Sequence, residues 1–388
     1  MRRRRLVFVI NHVAFFASHR LPLALGAREK GWDVTLITGQ AGSPLMETLA
    51  VDQLVRHEVP HKRAAFRTVG LNPFAELLGL IQLVFWLWRL KPSILHTASP
   101  KGGLYGGIAA RLTLVPSLVV AISGMGYLFT GKARGVKALA RTVYTKLLAW
   151  VYRHPNKVVI VQNSEDESTL LSSGLLAPSE ILLIPGSGVD LTQYLRIAEA
   201  KASSLIVLPA RLVRDKGVEV FANAARLLKA RGCTWRFALV GTADYANPSA
   251  VPLETIKAWV SEGCVEWWGH REDMPAVYEQ AAIVCLPSFY REGMPKCLLE
   301  AAAAGRPVVT CDVAGCRDAV IPGKTADLVP ARDATTLADV LQALINDPDR
   351  RSRYGTAGRE LAIERYSIES VVEQTLGIYE KLTANARR

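Results

Sequence analysis

Residues 282–311 read AIVCLPSFYREGMPKCLLEAAAAGRPVVTC. Apolar, β-branched runs over 282–287 and 307–311 predict two short strands. Between them, 296–304 is Leu- and Ala-rich and predicts a helix. A loop, Glu292-Gly293-Met294-Pro295, joins the first strand to that helix. Strand, crossover helix and strand make a β–α–β unit, which places the two strands parallel in one sheet.

The same alternation extends outward. Strands are expected at 205–210, 235–241 and 265–268, with helices at 218–230, 252–262 and 274–280. An earlier series has strands at 6–10, 33–38, 94–97, 118–122, 158–162 and 181–185, with a helix-like stretch over 19–30 that ends at Gly31. The polar, weakly patterned 186–203 reads as a linker. No short-period repeat is present. A chain of 388 residues exceeds a single ordinary core. The fold class is therefore α/β, two doubly wound domains. Ligands of such sheets bind beyond the carboxyl ends of the strands, so two facing domains would form an interdomain cleft.

Composition narrows the class. Half of the residues are hydrophobic and 21% are charged, which excludes disorder. The six cysteines all lie from Cys233 onward and form no disulfide framework; Cys311 and Cys316 have no second Cys/His pair for zinc. Arg2 to Arg5 precede an apolar run of only five residues, too short for a signal peptide. The stretches 74–90 and 112–129 are apolar, but Glu76 and Gln82 interrupt the first and Pro116, Gly124 and Gly126 the second, so no bilayer crossing is expected. With Phe85, Trp86 and Trp88, the first is apolar nearly all round and should be buried.

The net charge of +12 is unevenly spread: residues 1–190 hold 22 Lys/Arg against 11 Asp/Glu, the rest 25 against 24. Between Glu76 and Glu165 lie 11 Lys/Arg and no acid. Within that span 132–153 has a helical apolar period. Lys132, Arg134, Lys137, Arg141, Lys146 and Arg153 form its basic side, and Trp150 and Tyr152 stand near its end. This is the pattern of a helix lying on an anionic membrane; the alternative is an ordinary helix with a solvated face. A nucleic-acid partner is not expected, because the cations interleave with Leu, Trp and Val.

Two clusters carry chemistry. Glu292 and Glu300 are about two helical turns apart and can address one elongated ligand. Gly293 permits close backbone approach, and the following helix start offers N–H groups to an anion. After the strand at 205–210, PARLVRDKG (209–217) supplies Arg211 and Lys216, which suit the charge that develops on a departing diphosphate.

These residues resemble the retaining glycosyltransferases of family 4, which have the GT-B architecture. The resemblance implies that Glu292 contacts donor-sugar hydroxyls, that Glu300 holds the ribose, and that Gly293, Met294, Pro295 and Lys296 meet the diphosphate. Arg211 and Lys216 would neutralise that group. Gly241 would pass beside the nucleotide, and His270 and Arg271 would lie where the base is framed, with Asp273 alternatively a helix cap. GSGVD (186–190) is similar to the family's Asn-Gly-Val-Asp crossover, with Ser187 in place of Asn. FFASHRLPLA (15–24) resembles a branch that builds bacterial surface polysaccharides and lipid-linked oligosaccharides. There His19 and Arg20 would meet an acceptor phosphate; a core histidine and a surface arginine are the plain alternatives. Family relatives place a His near the donor sugar where His96 stands, and Gly124 and Tyr127 would line the acceptor side. Asp347-Pro348-Asp349 has no strand-end context for a metal, and there is no P-loop. No metal and no cofactor are expected, a UDP-sugar being a co-substrate.

The expected domains are 1–188, facing acceptor and membrane, 189–365, binding the nucleotide-sugar, and 366–388, a closing helix returning to the first. The expected reaction moves a hexose or N-acetylhexosamine, with retention, to a polyprenyl-diphosphate-linked saccharide. It would occur at the cytoplasmic face of the membrane, to which the protein is peripherally bound. Alternatives are a sugar-nucleotide epimerase or phosphorylase of similar architecture and a non-catalytic membrane adaptor.

Overall fold

The computed structural model describes residues 4–40, 44–67, 72–124, 135–199, 203–243 and 247–386. The chain divides into two units: Met1–Ile184 with Val371–Arg388, and Pro185–Ser370.

In the first unit the strands are β1 (Arg5–Ile10), β2 (Asp33–Gln40), β3 (His61–Arg67), β4 (Ile94–Ala98), β5 (Leu118–Ala121), β6 (Lys157–Val161) and β7 (Ile181–Leu183). They pair in parallel in the order β3-β2-β1-β4-β5-β6-β7. The order reverses between β1 and β4. Leu6 to Ile10 and Ile94 to Ala98 are all at most 1% exposed. Burial on both faces explains their unbroken apolar runs. β3 was not anticipated. It is an edge strand whose exposed Lys62, Arg63 and Arg67 make it read as polar.

The stretch read as one helix over 19–30 begins earlier and is two helices, Val13–His19 and Leu21–Glu29. Pro22 stands in the first turn of the second, a position that starts helices. The helix Ile368–Asn385 closes the unit's core: Val371, Ile378, Tyr379 and Leu382 pack among Phe8, Trp32 and Ile160. The Tyr379 ring meets Trp32 edge-on at 5.8 Å. Asn156 Nδ2 and Ser117 Oγ both donate to the Leu382 carbonyl, at 2.9 and 3.3 Å.

The second unit holds β8 (Leu205–Pro209), β9 (Arg236–Val240), β10 (Glu266–Gly269), β11 (Ile283–Leu286), β12 (Val308–Cys311) and β13 (Ala326–Val329). They are parallel in the order β10-β9-β8-β11-β12-β13, reversing between β8 and β11. β13 was not anticipated. The presumed linker 186–203 is also corrected. Leu191–Tyr194 is a helical turn, and Tyr194 and Ile197 are core residues. Arg306 donates to the Ala198 carbonyl at 2.6 Å and Arg359 to that of Ile197 at 2.7 Å. Those two carbonyl contacts add to the buried Tyr194 and Ile197 side chains, and side-chain patterning does not reveal them.

Candidate active site

The site is built where the sheet order of the second unit reverses. Beyond β8, Arg214–Lys216 forms a single 3-10 turn that ends at Gly217, with φ +73°. A Cβ at Gly217 would lie 2.0 Å from the Pro287 carbonyl oxygen, so only glycine lets this turn press on the end of β11. The Phe289 amide and Ser288 Oγ each lie 3.0 Å from the Asp215 carbonyl and lock the two loops together.

That lock sets Lys216 against Glu292. Lys216 Nζ donates to Glu292 Oε1 at 2.5 Å, with side chains 18% and 14% exposed. Ser288 Oγ lies 2.9 Å from the same oxygen. Burial opposes the Lys216 charge, but the Glu292 carboxylate and its hydrogen bond outweigh burial and hold the ammonium above the ordinary lysine value. The positive charge of Arg211, an exposed residue, also reaches Lys216. On the far side, a Cβ at Gly315 would lie 2.4 Å from the Gly293 carbonyl oxygen, and the Glu292 amide donates to Ala314 O at 3.3 Å.

The helix Lys296–Ala303 follows at once. Pro295 is its N-cap and makes no side-chain cap, so the helix start can receive an anion. Glu300, 7% exposed, accepts from the Tyr278 hydroxyl at 3.0 Å and pairs with Lys296 Nζ at 3.5 Å. The Glu300 charge also reaches the Tyr194 phenol. Burial first, and the Glu300 charge second, raise both phenols, so they remain neutral. Burial pushes the Cys297 thiol up to about 12, which leaves it protonated and a poor nucleophile at neutral pH.

Neighbouring loops complete the surround. Gly241 (φ +150°) leaves its missing Cβ 2.0 Å from the Ala210 carbonyl oxygen, and its amide donates to Gly269 O at 2.7 Å. This draws the ends of β8, β9 and β10 together. His270 and Arg271 are exposed beside them, the Arg271 guanidinium 5.7 Å from the Trp268 ring. A Cβ at Gly186 would lie 3.6 Å from Met294 Sδ, so the crossover loop reaches the Glu292 loop.

The structure thus brings Lys216, Glu292, Gly293, Met294, Pro295, Lys296 and Glu300 together. Ser288, Tyr194 and Tyr278 were missed. Tyr278 reads as an ordinary core position of its helix, and nothing in its spacing points to Glu300. Asp273 caps Met274–Gln280 through the Ala276 amide, and Asp347 caps Pro348–Arg365 through that of Arg350. Among the described residues no group of three or more His, Cys, Asp or Glu could hold a metal ion.

The first unit departs from expectation. His96, expected near the donor sugar, is mid-β4 and 1% exposed. Its Nδ1 lies 2.6 Å from the Tyr379 hydroxyl and its ring 5.0 Å from Phe8. Burial, then the Arg20 charge, push its pKa well down, so it is a neutral core group. Arg20 is not a surface residue: it is 5% exposed, and burial lowers its pKa to about 10. His19 stacks on Phe15 at 4.5 Å and lies 2.6 Å from Ser18 Oγ. Gly124 (φ +100°) follows β5, whereas Tyr127, Lys132 and Arg134 lie outside the described residues. The basic helix runs Val136–Tyr152; the Lys137 side chain is also outside the description. Lys146 is exposed, Arg141 half-buried, and Trp150 lies under the Arg111 guanidinium at 4.6 Å.

Comparison with known proteins gives two family matches. Residues 17–186 match the Glycosyl transferase 4-like domain and residues 203–347 match Glycosyl transferases group 1. The chain is 26% identical over 334 residues, 82% of its length and 85% of the relative's, to the Campylobacter jejuni N,N'-diacetylbacillosaminyl-diphospho-undecaprenol alpha-1,3-N-acetylgalactosaminyltransferase. It is 28% identical over 297 residues, 73% of its length and 72% of the relative's, to the Escherichia coli UDP-Gal:alpha-D-GlcNAc-diphosphoundecaprenol alpha-1,3-galactosyltransferase. The solved structure of Anabaena HepE in complex with UDP-glucose superposes with a TM-score of 0.75 at 16% identity, over 98% of this chain and 99% of that one.

Proposed function

Because this chain is a GT-B-fold glycosyltransferase related to the family 4-like enzymes, we propose that it transfers a sugar from a UDP-sugar to a polyprenyl-diphosphate-linked saccharide, with retention and without a metal. The observation that carries the reading is the switch-point cluster: a lysine ammonium held by Glu292, a helix start whose N-cap is a proline, and Glu300 about one turn into that helix.

In this reading Lys216 and Arg211 neutralise the diphosphate as the sugar C1–O bond breaks. Glu292 orients the sugar hydroxyls and Glu300 the ribose. No protein nucleophile is invoked, and the protonated Cys297 agrees with that. The acceptor hydroxyl forms the new C1–O bond on the face the diphosphate leaves, and its proton passes to a phosphate oxygen, giving UDP. The transferred sugar is a hexose or N-acetylhexosamine. The relatives named for undecaprenol-linked substrates support a lipid-borne acceptor, and in this reading the transfer takes place at the inner face of the membrane.

Labelled UDP-sugars offered with membrane extract and EDTA should yield labelled lipid. Glu292→Gln and Lys216→Ala should each lower turnover by about 10²–10³, the usual effect of losing one preorganised electrostatic contact. Label recovered only in an interconverted UDP-sugar would replace the proposal with an epimerase. Activity restored only by Mn²⁺ or Mg²⁺ would remove metal independence.

A further inference from the structure

The helix Pro73–Leu90 was expected to be buried, and it is not. Glu76, Gly79, Leu83 and Leu87 form its inner face. A Cβ at Gly79 would lie 2.6 Å from the Phe66 amide nitrogen, and Gln82 Oε1 accepts from the Ala65 amide at 2.8 Å. Glu76 also pairs inward, with Lys101 at 2.7 Å. The outer face is Phe74 (85% exposed), Leu77 (58%), Leu78 (50%), Ile81 (55%), Phe85 (53%) and Trp88 (64%). At about 100° per residue these six fall in one sector opposite the buried seam. Scattered apolar surface residues need no explanation, but a continuous row of six large ones does.

Charge distinguishes the possible occupants. The exposed cations Arg89 and Lys91 lie at one end of the row, and exposed Arg67 lies near the other, its carbonyl bound by Lys101. Trp88, exposed Leu114, Arg5 and Lys91 line one open depression. A second copy stacked on this face about a two-fold axis would set cations against cations. An anionic bilayer accepts both the apolar row and its basic ends.

We propose that this face of Pro73–Leu90 embeds in the headgroup–acyl boundary of an anionic membrane, with the helix parallel to the surface. The helix cannot cross the bilayer, because its inner face is packed on β3. Membrane contact is thereby centred on this helix, with Val136–Tyr152 at most contributing beside it. The inference rests on the transferase reading only for its purpose, which is to bring the site to a lipid-borne acceptor.

The test is co-sedimentation of the full chain with phosphatidylglycerol/phosphatidylethanolamine vesicles and with phosphatidylcholine vesicles. Wild type should bind the anionic vesicles. Leu78→Gln/Phe85→Gln/Trp88→Gln should weaken binding by at least about 100-fold, since each large apolar group kept out of the bilayer costs roughly tenfold or more in partition. Arg141→Glu/Lys146→Glu should weaken it less. Trp88→Phe keeps the shape, and should retain binding while losing part of the fluorescence quenching by brominated lipid. Absence of wild-type binding, a triple variant that binds normally, or quenching unchanged in Trp88→Phe would each overturn the proposal. So would a dimer that the triple variant dissociates while vesicle binding persists. Vesicle binding that follows the expected pattern without any UDP-sugar transfer would leave this proposal standing and remove only the enzymatic one.

Discussion

The Lys216–Glu292 pair lends itself to a double-mutant cycle. Its two partners are not equivalent. Removing the carboxylate with Glu292→Gln leaves a largely buried ammonium beside the positive Arg211. Removing the ammonium with Lys216→Met leaves a carboxylate that still has Ser288 Oγ 2.9 Å away. A hydrogen bond to a charged group is worth about 1.5–3 kcal/mol, and breaking a fully buried pair about 3–5 kcal/mol. The side chains retain 18% and 14% exposure, so water screens part of this. Glu292→Gln should cost unit 2 about 2–3 kcal/mol and Lys216→Met about 1–2 kcal/mol. The double variant should cost less than the sum of the two, about as much as Glu292→Gln alone, which is a coupling of about 1–2 kcal/mol. Urea unfolding followed by tryptophan fluorescence, to which Trp235, Trp259, Trp267 and Trp268 of unit 2 contribute, with far-UV circular dichroism as a second probe, gives all four corners. Coupling under about 0.5 kcal/mol, with the two single variants costing the same, would refute the pairing.

Three further outcomes are expected. Tyr278→Phe removes a donor to Glu300 and should raise KM for the donor about tenfold while changing kcat far less, since Glu300, which Tyr278 positions, holds the ribose in ground and transition states alike in the proposed reading; a pure kcat loss would contradict this. Gly217→Ala should destabilise unit 2 by about 1–3 kcal/mol and weaken UDP binding together, because the turn that places Lys216 must move; calorimetry showing neither would count against the close packing of that turn on Pro287. Burial holds His61 down to about 4 and lowers His96 and His154 as well, so the unfolded chain takes up protons below about pH 6.5 that the native first unit refuses. Stability of that unit should be intact above about pH 6.5 and fall progressively toward pH 4, with His61→Gln reducing the slope; denaturant midpoints equal at pH 7.5 and 5.5 would rule this out.

Where sequence was informative, local chemistry and global fold agreed. The strands β1, β4, β8 and β11 are buried on both faces, so their apolar runs stand out. The Glu292–Glu300 loop could be located because strand, glycine and helix follow one another within twenty residues. Legibility failed where a role depended on partners distant in the chain. β3 carries cations because it is an edge. Leu191–Tyr194 was lost in a polar stretch because part of its surrounding anchoring runs through carbonyls, received by Arg306 and Arg359 more than a hundred residues away. The burial of His96 was not legible because its partner, Tyr379, stands 283 positions on. The helix Pro73–Leu90 misled for the opposite reason: an apolar composition signals burial, but does not say whether protein or something else does the burying.

The closing helix has a consequence for synthesis. The first unit needs Val371, Ile378, Tyr379 and Leu382, yet 186 residues, Pro185–Ser370, stand between them and the seventh strand. At about 5–20 residues per second, a ribosome takes about 10–40 s to cover that distance. Throughout that interval Phe8 and Trp32 have no Tyr379 to pack on, and the first unit cannot complete its core ahead of the second. A premature stop just before Val371 would therefore spare every strand and still leave the first unit without part of its core.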